Sequence, residues 1–297
     1  MRFGLALFGI LVAAACPLWA VTPPSAVVTD PAPDAAFPAA MSAFVIPSHD
    51  GAMNAVMYLA AGHGLHPTLL LLHGFPGNEQ NLDLAQAARR AGWNVLTLHY
   101  RGSWGSPGSF SFAHCAEDAA VALAFLRTRD AAAKYRVDGR RIAVAGHSMG
   151  GMMAARIAAD DPTVLGAFLI DPADMAAIGR SFSDPKAKAD FLEGEVRGDM
   201  PPLAGTSIDA IMAEVERADP SLDLFATAPK LAGRPLTIIG AQRGIAPFGE
   251  ALGKAAEKLG ARSLHSESWP TDHSFSDRRI ALASALVEWL DTLGSGR

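Results

Sequence analysis

Short apolar runs alternate with stretches of helical period along most of this chain. Runs at 43–46, 55–60, 68–72, 94–99, 142–145, 166–170, 236–239 and 263–268 have the length and bounds of strands. Three inner ones, Leu69-Leu70-Leu71-Leu72, Ile142-Ala143-Val144-Ala145 and Leu236-Thr237-Ile238-Ile239, are apolar at every or nearly every position. A strand apolar on both alternating faces is one covered on both sides, as in a parallel sheet. Between the runs, residues 81–91, 116–133, 149–159, 247–259 and 276–293 carry helical patterns. Strands alternating with helices of this length predict an α/β fold with a doubly wound, mostly parallel, eight-stranded sheet. The first two strands, joined by the polar turn His49-Asp50-Gly51-Ala52, predict an antiparallel hairpin at one edge.

One stretch breaks the alternation. Residues 171–234 separate the sixth strand from the seventh, far more chain than a normal connection uses. Helical patterns at 185–196 and 208–217 lie within it, broken by Gly198, by Pro201-Pro202 and by Pro220. It predicts a helical cap, about 172–234, at the sheet's carboxyl edge, where a lid over a pocket sits. A purely structural excursion is the other reading.

Charge and cysteine content narrow the classes. The 297 residues hold 25 basic against 30 acidic groups, a net of −5, so nothing suggests the basic face that nucleic acid requires. Residues 1–20 begin Met1-Arg2, continue in an apolar run over 3–15 and end at Ala20, the form of a signal peptide. The run is shorter than the roughly 20 residues of a membrane span. The expectation is an exported protein, periplasmic or secreted, with no stable membrane span after cleavage. An uncleaved anchor, or a lipid on Cys16, is the alternative, although Ala13 stands where lipoprotein signals carry Leu. Residues 21–40 form a leader with five prolines that favours extended, solvated chain, leaving 41–297 as the folded domain. With Cys16 removed, Cys115 is a lone buried thiol, and no cysteine zinc site is possible.

The candidate chemistry sits at strand ends. Directly after the fifth strand comes Gly146-His147-Ser148-Met149-Gly150, followed by an Ala-rich helix. A strand, a tight glycine-flanked turn and a helix N-terminus together present a serine as a nucleophile, here Ser148. The third strand ends in His73-Gly74-Phe75-Pro76-Gly77, a turn able to aim a backbone N–H at a developing oxyanion. The two donors expected are the N–H groups of Phe75 and Met149. A serine needs a base, and His273, between the last strand and the last helix, follows Ser148 in the expected order. His147 is expected to point away from the serine, and His63 with His66 reads as a surface pair lacking a third metal ligand. No cofactor or metal is implied.

The segments His73-Gly74-Phe75-Pro76-Gly77, Tyr100-Arg101-Gly102-Ser103-Trp104-Gly105-Ser106-Pro107-Gly108, Gly146 to Gly151 and Asp272-His273-Ser274-Phe275 together resemble the α/β-hydrolase superfamily, on its esterase and prolyl-oligopeptidase-like side. The resemblance runs over about 41–293. It implies a serine hydrolase with Ser148 and His273 as catalytic pair and a cap between strands six and seven. It argues against dehalogenase or epoxide hydrolase chemistry, which use an aspartate where Ser148 stands. The family commonly places its triad acid after the strand corresponding to 236–239, yet the turn Gly240 to Pro247 has no acid. Asp171, at the end of the sixth strand, is the first alternative, with Asp174 behind it. Glu250, a dyad without an acid, or a hydrolase fold kept for binding alone are the others, and Asp272 is too close to His273 in the chain to face it. The expected activity is cleavage of a small-molecule ester, with a short-peptide peptidase as the enzymatic alternative.

Overall fold

The computed structural model describes residues 22–294. The expected signal segment, with Cys16, lies outside them. Eight strands, β1 (Ala40–Ser48), β2 (Gly51–Leu59), β3 (His66–Leu72), β4 (Asn94–His99), β5 (Val137–His147), β6 (Ala167–Ile170), β7 (Leu236–Arg243) and β8 (Leu264–Asp272), form one sheet in the order β1-β2-β4-β3-β5-β6-β7-β8. Strand β2 runs antiparallel to both its neighbours, and every other adjacent pair is parallel. The edge hairpin is present: Ser48 pairs with Gly51, leaving a two-residue turn.

Helices α1 (Ser25–Val28), α2 (Leu82–Arg90), α3 (Phe112–Leu126), α4 (Arg129–Tyr135), α5 (Met149–Asp160), α6 (Met175–Ser181), α7 (Pro185–Phe191), α8 (Ile208–Glu216), α9 (Ala228–Leu231), α10 (Ala246–Lys258) and α11 (Arg279–Gly294) complete the chain. The period of two along each strand divides the core. Leu70, Leu72, Val144, Leu169 and Ile238 face α3, α5 and α10, whereas Leu69, Leu71, Ala143, Ala145, Phe168 and Ile239 face α2 and α11. Each fully buried leucine side chain stabilises the fold by about 1.5–3 kcal/mol, so β3 alone is a major contributor. Cys115 is free and buried on α3. Among the described residues no helix is long and apolar enough to cross a membrane.

Three local expectations change. The single helix expected over 116–133 is two, because hydroxyl caps start each: Ser111 accepts from the His114 N–H at 3.0 Å and Thr128 from the Ala131 N–H at 3.1 Å. The leader is not wholly extended and solvated, since α1 docks on α2 and α11. The Arg90 guanidinium donates to the carbonyls of Ala26 at 2.5 Å and Val27 at 3.2 Å, which occupies acceptors that so short a helix leaves unpaired. His66 is also not a surface residue; it is buried, with its ring nitrogens against the carbonyls of Gly92 and Gly62.

Residues between β6 and β7 build the expected cap from α6 to α9, with a π-helical turn at Leu192–Val196. Its buried side chains, among them Val196, Ile211, Met212, Val215, Leu224 and Leu231, share one core with Phe110, Phe112 and Met152. Backbone bonds stitch it to the loop after β4: Trp104 N–H to Pro202 O at 2.8 Å, Ala204 N–H to Gly102 O at 2.8 Å and Phe110 N–H to Ala204 O at 3.0 Å. The buried Glu214 carboxylate reaches from α8 to the first turn of α3, accepting from Phe112 N–H at 3.0 Å and Ala113 N–H at 2.9 Å. A carboxylate there satisfies orphan donors at the positive end of a helix.

The loop after β4 is held from beneath by Arg101, which is 1% exposed. Its Nε meets Asp118 Oδ1 at 2.7 Å, and its terminal nitrogens reach Asp50 at 2.8 Å and Glu117 at 2.5 Å. Asp118 also accepts from the Arg101 N–H at 2.8 Å and the Ser48 hydroxyl at 2.5 Å. One buried ion pair thereby ties the edge hairpin, the loop after β4 and α3 together.

Candidate active site

Strand β5 ends at His147, and Ser148 turns the chain into α5 at φ 56°, ψ −122°. A serine is held in that disfavoured region at a cost of about 1–3 kcal/mol only by its surroundings. Here its N–H donates to Ile170 O at 2.9 Å, and its carbonyl accepts from Gly151 and Ala173 N–H at 2.9 and 3.0 Å. The turn closes so tightly that a Cβ on Gly146 would lie 2.0 Å from the Gly150 carbonyl. The Ser148 hydroxyl makes no hydrogen bond to another described residue and is partly exposed.

The turn after β3 comes up beside this elbow. A Cβ on Gly74 would lie 2.9 Å from Ser148 Cβ, so the glycine lets the turn approach the serine. The Phe75 N–H, next along, has no backbone partner, and Met149 N–H is the first orphan donor of α5. The half-buried Phe75 ring packs against the buried Phe110 and Phe112, each at 5.5 Å between centroids, which anchors the turn on the core.

His273 and Asp171 are brought together. His273 Nδ1 lies 2.6 Å from Asp171 Oδ2, with the carboxylate fully buried and the imidazole 36% exposed. Asp171, in the left-handed region at φ 39°, turns off β6 and sends its carboxyl under the end of β7. There Oδ1 accepts from Ala241 N–H and Oδ2 from Ile245 N–H, both at 2.9 Å. The turn without an acid therefore contributes backbone donors that hold an acid from the neighbouring strand. Gly244 makes room for it, because a Cβ there would sit 2.2 Å from Asp171 Oδ2.

The other carboxylates are occupied elsewhere. Asp174 caps α6 by accepting from Ala177 N–H at 2.8 Å, Glu250 accepts from the Ser268 hydroxyl at 2.9 Å, and Asp272 accepts from Ser276 N–H at 2.8 Å. Arg243, on the turn where the family commonly carries its acid, points to the Pro270 carbonyl. Among the described residues no group of three or more His, Cys, Asp or Glu side chains is placed to hold a metal ion.

Two more histidines border the site, both buried. Burial lowers His73 to about 4 and His147 to about 3, against an ordinary 6.5, and the neighbouring His273 adds to the shift of His147. An unfolded chain binds protons at both rings below about 6.5 while the folded one does not, so stability falls as pH drops through that window and is constant above it. Urea denaturation is expected to show a loss on the order of 2 kcal/mol per ring between pH 7 and pH 5. Equal stability at the two pH values would contradict neutral burial of these rings.

Signals for Gly74 and Ser148 were present in the sequence. Those for Gly244 and His147 were not, since each meets its partner, Asp171 or His273, across a long stretch of chain.

A family model described as the alpha/beta hydrolase family matches residues 69–292. No curated protein sequence matches the chain. Among solved structures, a thermostable carboxylesterase cloned from a metagenomic library is similar at 20% identity and TM-score 0.63, over 90% of this chain and 92% of that one. An esterase from Pyrobaculum calidifontis is similar at 21% identity and TM-score 0.61, over 85% and 86%. The acylaminoacyl peptidase of Pyrococcus horikoshii is similar at 18% and 0.63, covering 85% of this chain and 41% of that one. Likeness at these identities is one of fold.

Proposed function

The chain belongs to the alpha/beta-hydrolase family, and on that premise we propose that it is an exported serine hydrolase that cleaves a carboxylic ester. The observation that carries the reading is the 2.6 Å contact between His273 and the buried Asp171 beside the Ser148 elbow. A base oriented by a buried carboxylate, next to a strained serine, is the arrangement that nucleophilic acyl transfer needs.

Ser148 Oγ attacks the ester carbonyl while His273 Nε2 takes its proton. Asp171, accepting from Nδ1–H, holds the imidazole with Nε2 free and stabilises the cation that forms. The N–H groups of Phe75 and Met149 receive the oxyanion. Collapse of the tetrahedral intermediate expels the alkoxide, which leaves as the alcohol with the proton from His273. Water, deprotonated by the same imidazole, then hydrolyses the acyl-enzyme. The Ser148 to His273 hydrogen bond forms as substrate binds, since such contacts are often long in free enzymes and tighten in the complex. The pattern of residues 1–20 supports export, and hence a periplasmic or secreted enzyme.

A fluorophosphonate probe is expected to label the wild type at Ser148 and to leave Ser148→Ala unlabelled. p-Nitrophenyl esters are expected to turn over faster than aminoacyl-p-nitroanilides. Folded protein that resists the probe removes the enzyme reading, and preference for the anilides makes it a peptidase.

A further inference from the structure

His147 has a place in the site that neither the nucleophile nor the triad explains. Its Nε2 lies 2.8 Å from the backbone carbonyl of His273, and its ring faces the His273 ring at 4.4 Å between centroids, inclined by 41°. On its other side, a Cβ on Gly74 would lie 3.5 Å from His147 Nδ1. The ring thus spans from the turn after β3 to the loop after β8, from a residue whose own backbone runs into the elbow. Three segments that must be in register for acyl transfer meet on one side chain.

A carbonyl oxygen only accepts, so His147 Nε2 carries the proton and donates it. Burial, with the nearby His273 and Arg279, keeps the ring neutral against the pull of Asp171. A neutral donor holds the loop without placing a second positive charge beside the base. His273 itself is partly exposed, and among the described residues its side chain is hydrogen-bonded only through Nδ1. Its backbone needs a second hold if Nε2 is to stay aimed at Ser148.

We propose that His147 is a positioning residue for His273, fixing the loop of the general base by the hydrogen bond from its Nε2–H to the His273 carbonyl. This rests on the hydrolase reading above. Small displacements of a reacting group cost about 10²-fold in rate, so loss of the donor is expected to act on turnover rather than on binding.

His147→Phe keeps a ring and loses the donor, whereas His147→Gln places an amide N–H near the position of Nε2. Active sites are counted by fluorophosphonate titration, and kcat per active site is measured with a p-nitrophenyl ester. His147→Phe is expected to lower kcat per active site about 10- to 100-fold, with KM within about twofold of wild type. His147→Gln is expected to recover most of the loss. A merely structural role predicts fewer active sites with unchanged kcat at each, and that result would overturn the proposal, as would equal loss in the two variants. Nuclear magnetic resonance of the His273 ring in Ser148→Ala protein supplies a readout independent of turnover. Adding His147→Phe is expected to shift and broaden the His273 signals, and unchanged signals would also overturn the proposal. A wild type that neither reacts with the probe nor cleaves esters is a failure of the hydrolase reading, and the resonance experiment still decides the role of His147.

Discussion

Asp171→Asn is expected to lower kcat by about 10⁴-fold with little change in KM, and to cost about 1–3 kcal/mol of stability because its amide cannot accept from both the Ala241 and Ile245 N–H groups. The size of the effect follows from proton placement. In the wild type the carboxylate accepts from two backbone N–H groups and from His273 Nδ1. An asparagine keeping its oxygen on the Ala241 N–H turns its amide N–H2 toward His273, so Nδ1 becomes the acceptor and the proton moves to Nε2. The ring can then no longer take the serine proton. Steady-state kinetics on a p-nitrophenyl ester, paired with thermal melting, checks this. Turnover within about tenfold of wild type would remove Asp171 from the triad, because loss of the tautomer-fixing acid costs far more.

Arg101→Met is expected to destabilise the protein by about 3–5 kcal/mol. The exposed arms of its network matter little, since Asp50 is 70% and Glu117 47% exposed and such pairs contribute about 0–1 kcal/mol. The cost lies with Asp118, fully buried, which would keep one backbone N–H and the Ser48 hydroxyl but lose its counter-charge. A buried carboxylate without its cation is the expensive state, not the absence of the pair. Replacing both partners, Arg101→Met with Asp118→Leu, is accordingly expected to be less damaging than Arg101→Met alone. Urea denaturation of the three proteins tests the point, and a single variant as stable as wild type would contradict it.

The sheet was legible because burial on two faces leaves an unambiguous trace. Leu69 to Leu72 could only be a strand covered on both sides, and all eight runs are strands. Boundaries were less so: β5 and β8 extend beyond their apolar centres, and the helix starts at Ser111, a hydroxyl cap five residues ahead of the helical pattern at 116. At the site, Ser148, His273, Phe75 and Met149 could be proposed from short motifs, since strand ends and glycine turns are local. The acid was ambiguous for a physical reason. Asp171 and the turn at 240–247 are far apart in sequence but adjacent through the pairing of β6 with β7, and only that register brings the Asp171 carboxyl under the Ala241 and Ile245 amides. Glu214 capping α3 and His147 anchoring the His273 loop are of the same kind, single contacts across long separations that leave no periodicity to detect.

The cap that crosses from β6 to β7 has no separate interior. Its apolar side chains complete the layer over Phe110, Phe112 and Met152, and its carboxylate finishes the first turn of a helix belonging to the sheet. Cap and sheet are therefore expected to unfold as one cooperative unit, in a single melting transition. A chain shortened by cutting out the insertion is expected to expose the rings of Phe110 and Phe112 and to leave α3 with its Ser111 cap but without the Glu214 carboxylate on the Phe112 and Ala113 N–H groups.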